Sequence, residues 1–285
     1  MKRPVSKDIR SLVVKVGTSI LTKNGRFDRA LITKLAGQIA PFLKKGTRVS
    51  IVSSGAIGAG MTLLKEKERP KTMEGLQAAA AVGQRYLMQC YEAAFSKHGF
   101  LTAQVLLTWD DMANSKRFMN AKRALGEIQK RNLVPVINEN DTVATDEIRF
   151  GDNDRLSALL SILIEADTLV ILSDTDGLYT QSPSKERIKI VDKMGPAIFS
   201  HVKDSKNSFT VGGMRSKLEA IETAVSSGIP VFLANGRQSK VLTRLLSGED
   251  LGTFFLASVK KGRARKDWMM YFVNHVHSRS GKGSS

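Results

Sequence analysis

Lys15 and Lys217 lie far apart in the chain, yet each stands in a glycine-bearing cluster that could meet phosphate. Lys15 falls within the β-branched run Leu12-Val13-Val14-Lys15-Val16, just before Gly17-Thr18-Ser19, and Lys217 closes Val211-Gly212-Gly213-Met214-Arg215-Ser216-Lys217. Backbone N–H groups exposed beside glycine and an ammonium ion can share phosphate oxygens. A single lysine at a strand end can equally face water. Two of them at opposite ends of one nucleotide would stabilise charge on a transferring phosphoryl group. Between the lysines come Ser53-Ser54-Gly55-Ala56, Asn138-Glu139-Asn140-Asp141, Gly151-Asp152-Asn153-Asp154 and Ser173-Asp174-Thr175-Asp176-Gly177. A helix N-cap needs one such side chain, worth about 1 kcal/mol. Asp152, Asn153 and Asp154 exceed that need, so one is expected to orient the lysines and another to hold an ammonium group or a metal. Asn138 to Asp141 is likewise more than a turn requires. The set suits a phosphorylated, magnesium-bound nucleotide better than a hydride carrier, and predicts a small-molecule kinase.

These clusters must be held at one edge, and the elements that could do so are legible. Most of them follow an apolar, β-branched run, the strand-loop-helix rhythm of an α/β open parallel sheet, in which ligands bind beyond the carboxyl ends of the strands. Asp28 is the expected N-cap of a helix with Leu31, Leu35, Ile39, Phe42 and Leu43 on one face, kinked at Pro41 and ending before Gly46. Strand 48–53 follows, then a glycine-rich loop over 55–60 and a charged surface connection over 64–72 containing Pro70. Leu76, Ala80, Gly83, Leu87, Tyr91 and Phe95 recur at helical spacing, and the small residues Ala78 to Ala81 with Gly83 would allow close approach to a neighbour, such as a second subunit. Further strands are expected over 102–107, 134–137, 169–172 and 230–234. Further helices are expected over 120–132, 152–165 and 214–227, the last closed by Gly228.

Composition narrows the class. With 285 residues and 42% hydrophobic content, the chain can bury a large core. The lone Cys90 forms no internal disulfide and is expected to be a packed, inert thiol; one cysteine and four scattered histidines spell no metal cluster. Charged residues near the start and the short apolar run 156–164 resemble neither a signal peptide nor a membrane span, so a cytoplasmic protein is expected. The net charge of +17 raises a nucleic-acid-binding alternative, but aromatic residues are only 6% and the lysines are dispersed, which disfavours it. Much of the excess sits after residue 259, and 273–285 is expected to be a basic, disordered, solubilising tail.

Familiar phosphate cradles are missing from the sequence. Gly55-Ala56-Ile57-Gly58-Ala59-Gly60 lacks the dinucleotide spacing, and no glycine-rich loop ends in Gly-Lys-Ser/Thr after a strand. Protein-kinase loops are absent too. Instead, Val-Lys-Val-Gly-Thr-Ser at 14–19, Ser-Ser-Gly-Ala-Ile at 53–57, Val-Ile-Asn-Glu-Asn-Asp at 136–141, Gly-Asp-Asn-Asp at 151–154 and Gly-Gly-Met-Arg-Ser-Lys at 212–217 together resemble the glutamate 5-kinases of the amino acid kinase family. The match runs in order over 11–272.

That resemblance implies one kinase domain over 1–272, a three-layer αβα sandwich whose N-terminal part binds glutamate and whose C-terminal part binds ATP. The implied reaction moves the γ-phosphate of ATP, with Mg2+, to the side-chain carboxylate of L-glutamate, the first step of proline synthesis. Lys15 and Lys217 would flank the phosphoryl group and Asp154 would hold both. Ser54, Asn138, Asp141 and Asn153 match glutamate-binding positions. Lys15, Gly17, Ser173, Asp174 and Val211, Gly212, Gly213, Met214, Arg215, Ser216 and Lys217 match nucleotide-binding positions. Magnesium would be held by the nucleotide phosphates, so no protein ligand is named. Feedback inhibition by proline and a homo-oligomer, dimer or tetramer, are also implied. Relatives acting on N-acetylglutamate, aspartate, carbamate or UMP are the nearest alternatives, and 136–141 with 151–154 fit the glutamate pattern better. Val211 departs from the usual threonine, removing a hydroxyl. Many relatives carry a C-terminal PUA domain, whereas the resemblance here covers the kinase domain alone.

Overall fold

A computed structural model of the chain describes residues 8–23, 26–143, 153–181, 184–202 and 213–258. Its elements are β1 (Ser11–Val16), α1 (Thr18–Leu21), β2 (Thr22–Lys23), β3 (Arg26–Phe27), α2 (Arg29–Lys44), β4 (Arg48–Ser53), α3 (Ala56–Leu64) and α4 (Met73–Ser96). There follow β5 (Thr102–Leu107), α5 (Trp109–Ala113), α6 (Ser115–Lys130), β6 (Val134–Glu139), α7 (Asn153–Leu163) and β7 (Thr168–Ser173). The last are β8 (Ile190–Val191), α8 (Pro196–Phe199), α9 (Met214–Ser226), β9 (Val231–Asn235), α10 (Val241–Leu246) and β10 (Thr253–Phe255).

Eight of the described strands form one sheet in the order β5-β6-β4-β1-β7-β9-β10-β8. The first six are mutually parallel, and β10 runs antiparallel to β9. The side chains of β1, β4, β6 and β7 read as nearly continuous buried runs, as expected for a parallel sheet covered on both faces, while those of the edge strand β5 are mostly half-buried. Alternation along β1 sorts two cores. Leu12, Val14 and Val16 pack with Ile32, Leu35 and Ile39 of α2, Leu87 and Phe95 of α4 and Leu242 of α10. Val13 points the other way, with Leu125 of α6, Leu159 of α7 and Leu218 and Ile221 of α9. These helix layers on either face make the three-layer αβα sandwich.

β1 is the switch point. The chain builds β4, β5 and β6 to one side of it and β7 and β9 to the other, which opens a crevice beyond its carboxyl end.

Several elements differ from the sequence-based expectation. The glycine-rich stretch after β4 is helix α3, not a loop, entered through Gly55 at φ +101°, a conformation glycine adopts without a Cβ clash. The small residues of α4 do admit a close neighbour, but it is α3 of the same chain. A Cβ on Gly83 would lie 1.8 Å from the Ala56 carbonyl oxygen, and one on Gly60 would lie 1.8 Å from that of Ala79. In α2, Asp28 caps as expected, accepting from the Ala30 N–H at 3.0 Å. Its buried face is Ile32, Leu35, Ala36, Ile39 and Ala40, with Leu31, Phe42 and Leu43 at the margin, and the helix continues through Pro41. The helix expected over 120–132 begins earlier, at Ser115, because Asn114 accepts from the N–H groups of Lys116 and Arg117. β6 extends beyond 137 to include Asn138 and Glu139, both buried. Among the described residues, no helix is long and apolar enough to cross a membrane. The tail over 273–285, with the basic residues after 258, lies outside the described residues.

Candidate active site

Lys15 is the one charged residue in β1, and its register explains its fate. It pairs with Val52 of β4 and Ile171 of β7, on the same face as Val13, so its side chain runs under the layer made by α7 and α9. There its Nζ lies 2.6 Å from Asp154 Oδ1, with Lys15 only 3% exposed and Asp154 fully buried. Lys217 reaches the same carboxylate from the first turn of α9, its Nζ 3.1 Å from Asp154 Oδ2. One carboxylate thus holds two ammonium groups, one on each oxygen. Burial by itself raises the Asp154 carboxyl, but the charges and hydrogen bonds of Lys15 and Lys217 together outweigh it and hold the group below its ordinary value.

This arrangement gathers two ammonium groups on one carboxylate inside a low-dielectric interface. Desolvating three charges is expensive unless something offsets it, and Coulomb attraction is strong only at such short range.

Asn153, the neighbour of Asp154 on α7, is buried and points elsewhere. Its Nδ2 donates to Ser54 Oγ at 2.9 Å and to Asn138 Oδ1 at 2.8 Å. Asn138 Nδ2 in turn donates to Gln84 Oε1 on α4 at 3.0 Å. The first turn of α7 therefore joins two clusters: Asp154 serves the lysines, and Asn153 ties together the ends of β4 and β6. Behind them, the buried Tyr91 hydroxyl donates to Ser53 Oγ at 2.9 Å, and burial pushes that phenol up. Asp141 follows β6, and its carboxyl is raised to about 6 by burial, with the Arg69 charge opposing in part.

The other expected residues are placed as follows. Gly17 sits at the end of β1, its N–H donating to the Leu172 carbonyl at 3.2 Å. Ser173 ends β7 and is buried, its hydroxyl donating to the exposed Asp174 carboxylate at 3.1 Å. Gly213 is the N-cap of α9, Met214 packs against the core, and Ser216 turns its hydroxyl back to the Gly213 carbonyl at 2.9 Å. Arg215 is exposed, with its Nε 3.6 Å from Glu219 Oε1. Val211 and Gly212, like Gly151 and Asp152, lie outside the described residues.

Two groups were missed by sequence reasoning. Gln84 is a polar residue within an otherwise core-facing stripe of α4, and that exception was its available signal. The turn after β9 also reaches the carboxyl edge: Gly236 N–H donates to the Ser173 carbonyl at 2.9 Å, and Gln238 Nε2 donates to Asp176 Oδ1 at 2.6 Å. Its polar run Asn235-Gly236-Arg237-Gln238 after an apolar strand repeats the pattern of the other clusters.

Comparisons with known proteins give the family and the fold. Residues 10–235 match the amino acid kinase family. The chain is 46% identical over 272 residues to "Glutamate 5-kinase" of Paraburkholderia xenovorans (strain LB400), covering 94% of this chain and 73% of that relative. It is 47% identical over 270 residues to the protein of the same name from Nitrosospira multiformis, with 93% and 73% covered. The solved structure of UMP kinase from Bacillus anthracis superposes with a TM-score of 0.59 at 13% identity, covering 89% of this chain and 98% of that one, a likeness of fold. The chain belongs to the amino acid kinase family, among its glutamate 5-kinases.

Proposed function

We propose that the chain transfers the γ-phosphoryl group of ATP to the side-chain carboxylate of L-glutamate, releasing ADP and L-glutamyl 5-phosphate. The observation that carries this is the clamp of Asp154 between Lys15 and Lys217, one residue from the Asn153 amide that binds Ser54 to Asn138. A phosphoryl acceptor and a donor would meet where these two clusters join.

A glutamate side-chain carboxylate is ionised at neutral pH, with a reference value near ~4.3, so its oxygen can attack phosphorus without a general base. The new bond forms between that oxygen and the γ-phosphorus as the bond to the β-bridging oxygen breaks, and ADP departs with that electron pair. Charge spreads over the phosphoryl oxygens in flight, and two preorganised ammonium groups stabilise it most there. Lys15, on β1 beside Gly17, would face the acceptor side as well, and Lys217, on α9, the nucleotide side. Asp154 positions both.

The N-terminal part, with Ser54, Asn138, Asp141 and Asn153, would hold glutamate: Asp141 pairs with the α-ammonium group, and the amides receive polar atoms of the backbone end. The C-terminal part, with Ser173, Asp174, the 211–217 segment and Lys217, would hold ATP. Magnesium would come with the triphosphate and neutralise its oxygens. Asp154 does not fit as its ligand, because both of its oxygens already meet lysines.

The test is ADP release from ATP and magnesium with L-glutamate, N-acetyl-L-glutamate or L-aspartate, trapping acyl phosphate with hydroxylamine. Hydroxamate from L-glutamate alone is expected. Equal or better turnover of either alternative would overturn the substrate assignment.

A further inference from the structure

The amide relay at the end of β6 is incomplete, and its two loose ends are complementary. Gln84 and Asn153 are each more than nine-tenths buried, at 9% and 8% exposure. Among the described residues, neither Gln84 Nε2 nor Asn153 Oδ1 has a hydrogen-bond partner. The relay is polarised: Asn153 donates to Asn138, and Asn138 donates to Gln84. One end therefore presents an unpaired N–H donor and the other an unpaired acceptor. Leaving a buried polar atom unpaired is costly, so two within one connected network point to a ligand that completes both.

Position says which part of the ligand each would meet. Asn153 adjoins Asp154 and hence the lysine pair, whereas Gln84 is two hydrogen bonds further away, on α4. The reacting carboxylate belongs at the lysines, so the far end of the substrate belongs at Gln84. Gln84 is delivered there by Gly83, whose close contact with the Ala56 carbonyl sets α4 against the first residue of α3. The nine-residue helix α3 begins just after Ser54, with Gly55 as an N-cap that supplies no side-chain hydrogen bond, so its N-terminal dipole is open to an anion.

We infer that Gln84 is a specificity-determining residue that donates from Nε2 to the α-carboxylate of the substrate, beside the N-terminus of α3, and so requires an α-amino acid rather than a simple ω-carboxylate. Asn153 Oδ1 accepts from the α-ammonium group together with Asp141. This assignment rests on the proposed reaction with L-glutamate and adds a recognition contact to it.

The experiment compares L-glutamate with 4-aminobutanoate, which lacks the α-carboxylate, in the wild type and in Gln84→Met, using the full chain. For the wild type, the KM for glutamate and the Ki of 4-aminobutanoate as a competitor are measured. Gln84→Met removes the donor at similar volume, together with the Oε1 that accepts from Asn138. It is expected to raise the glutamate KM by roughly 10- to 100-fold, the range for one charge-assisted hydrogen bond, with the ATP KM unchanged and the Ki of 4-aminobutanoate within about twofold, since no α-carboxylate is there to lose the contact. Gln84→Glu keeps an acceptor for Asn138 but places a negative charge at the contact, and is expected to weaken glutamate further while sparing 4-aminobutanoate; it serves also where the methionine variant does not fold. Equal weakening of both compounds, or an unchanged glutamate KM, would overturn the contact while the reaction stands. A folded wild type that neither binds nor phosphorylates L-glutamate would overturn the reaction and this contact with it.

Discussion

Lys15 Nζ and Asp154 Oδ1 approach to 2.6 Å inside the sheet-helix interface, where neither side chain has more than slight access to solvent. β1 supplies the cation and α7 the anion, and the same carboxylate reaches Lys217 on α9 through its second oxygen. These paired charges are thereby fixed by three elements rather than by a loop, which the proposed reaction, whose catalysis would consist mainly of positioning, would require.

Replacing Asp154 by Asn should lower kcat by about two orders of magnitude or more, because both ammonium groups lose their anchor at once. Stability should respond as well. The folded carboxyl lies below its ordinary 3.8, so its ion pairs contribute stability above that value and lose it as pH falls through the folded value. Urea denaturation from pH 7 down to pH 2 should show a steep loss for the wild type below about pH 4 and a shallower one for Asp154→Asn. Parallel curves would remove Asp154 from the acid response.

Lys217→Ala should lower kcat far more than it raises the glutamate KM, by about 100-fold or more, since its contact strengthens as charge develops on the transferring group. Steady-state kinetics with both substrates varied decides this. An unchanged kcat would exclude Lys217 from the chemistry.

Asp141 gives a separate pH handle. Its carboxyl is raised to about 6 by burial, with Arg69 opposing in part, and only the ionised form attracts an ammonium group. The glutamate KM should therefore rise as pH falls below about 6, while the ATP KM stays level. Asp141→Asn should have a high glutamate KM that no longer changes over that interval. For folding, the sign is opposite to that of Asp154: a raised carboxyl favours the folded state at low pH, and that contribution is lost as pH rises through about 6.

Two glycine substitutions should separate steric need from helix propensity. Gly83→Ala drives a Cβ into the Ala56 carbonyl oxygen, so it should destabilise by ~1–3 kcal/mol or more and raise the glutamate KM by shifting Gln84 and the start of α3. Gly126→Ala, in α6 where a Cβ would meet nothing within 4 Å, should stabilise by ~0.5–1 kcal/mol with unchanged kinetics. Thermal unfolding of both variants is the check.

Proline shares the α-carboxylate and ammonium groups of glutamate, so the same end of the site should accept it. Added proline should raise the apparent glutamate KM without lowering kcat. Inhibition competitive with ATP instead would place proline elsewhere.

The polar clusters were legible in the chain because strand-loop-helix punctuation marks the carboxyl edge of a parallel sheet before any contact is known. Lys15, Asn138 and Ser173 each stand in the last two residues of a strand whose other residues are mostly apolar, and that local pattern marks the edge on which they fall. Their grouping into five ordered motifs was likewise sequence information. What the linear pattern could not decide was partnership across the fold. Whether Lys15 met water or Asp154 depended on β1 lying between β4 and β7, with alternation turning residue 15 toward α7 and α9. The helix over 56–64 looked like a loop because its glycines have low intrinsic propensity, and it exists because those glycines let α3 and α4 touch backbone to backbone. Gln84 showed in the chain only as a polar exception in the apolar stripe of its helix, and its meeting with Asn138 came from the packing of distant segments. Local sequence determines which groups a segment carries and how often they turn to one face, but only the packing of distant segments sets what each buried polar atom is left facing.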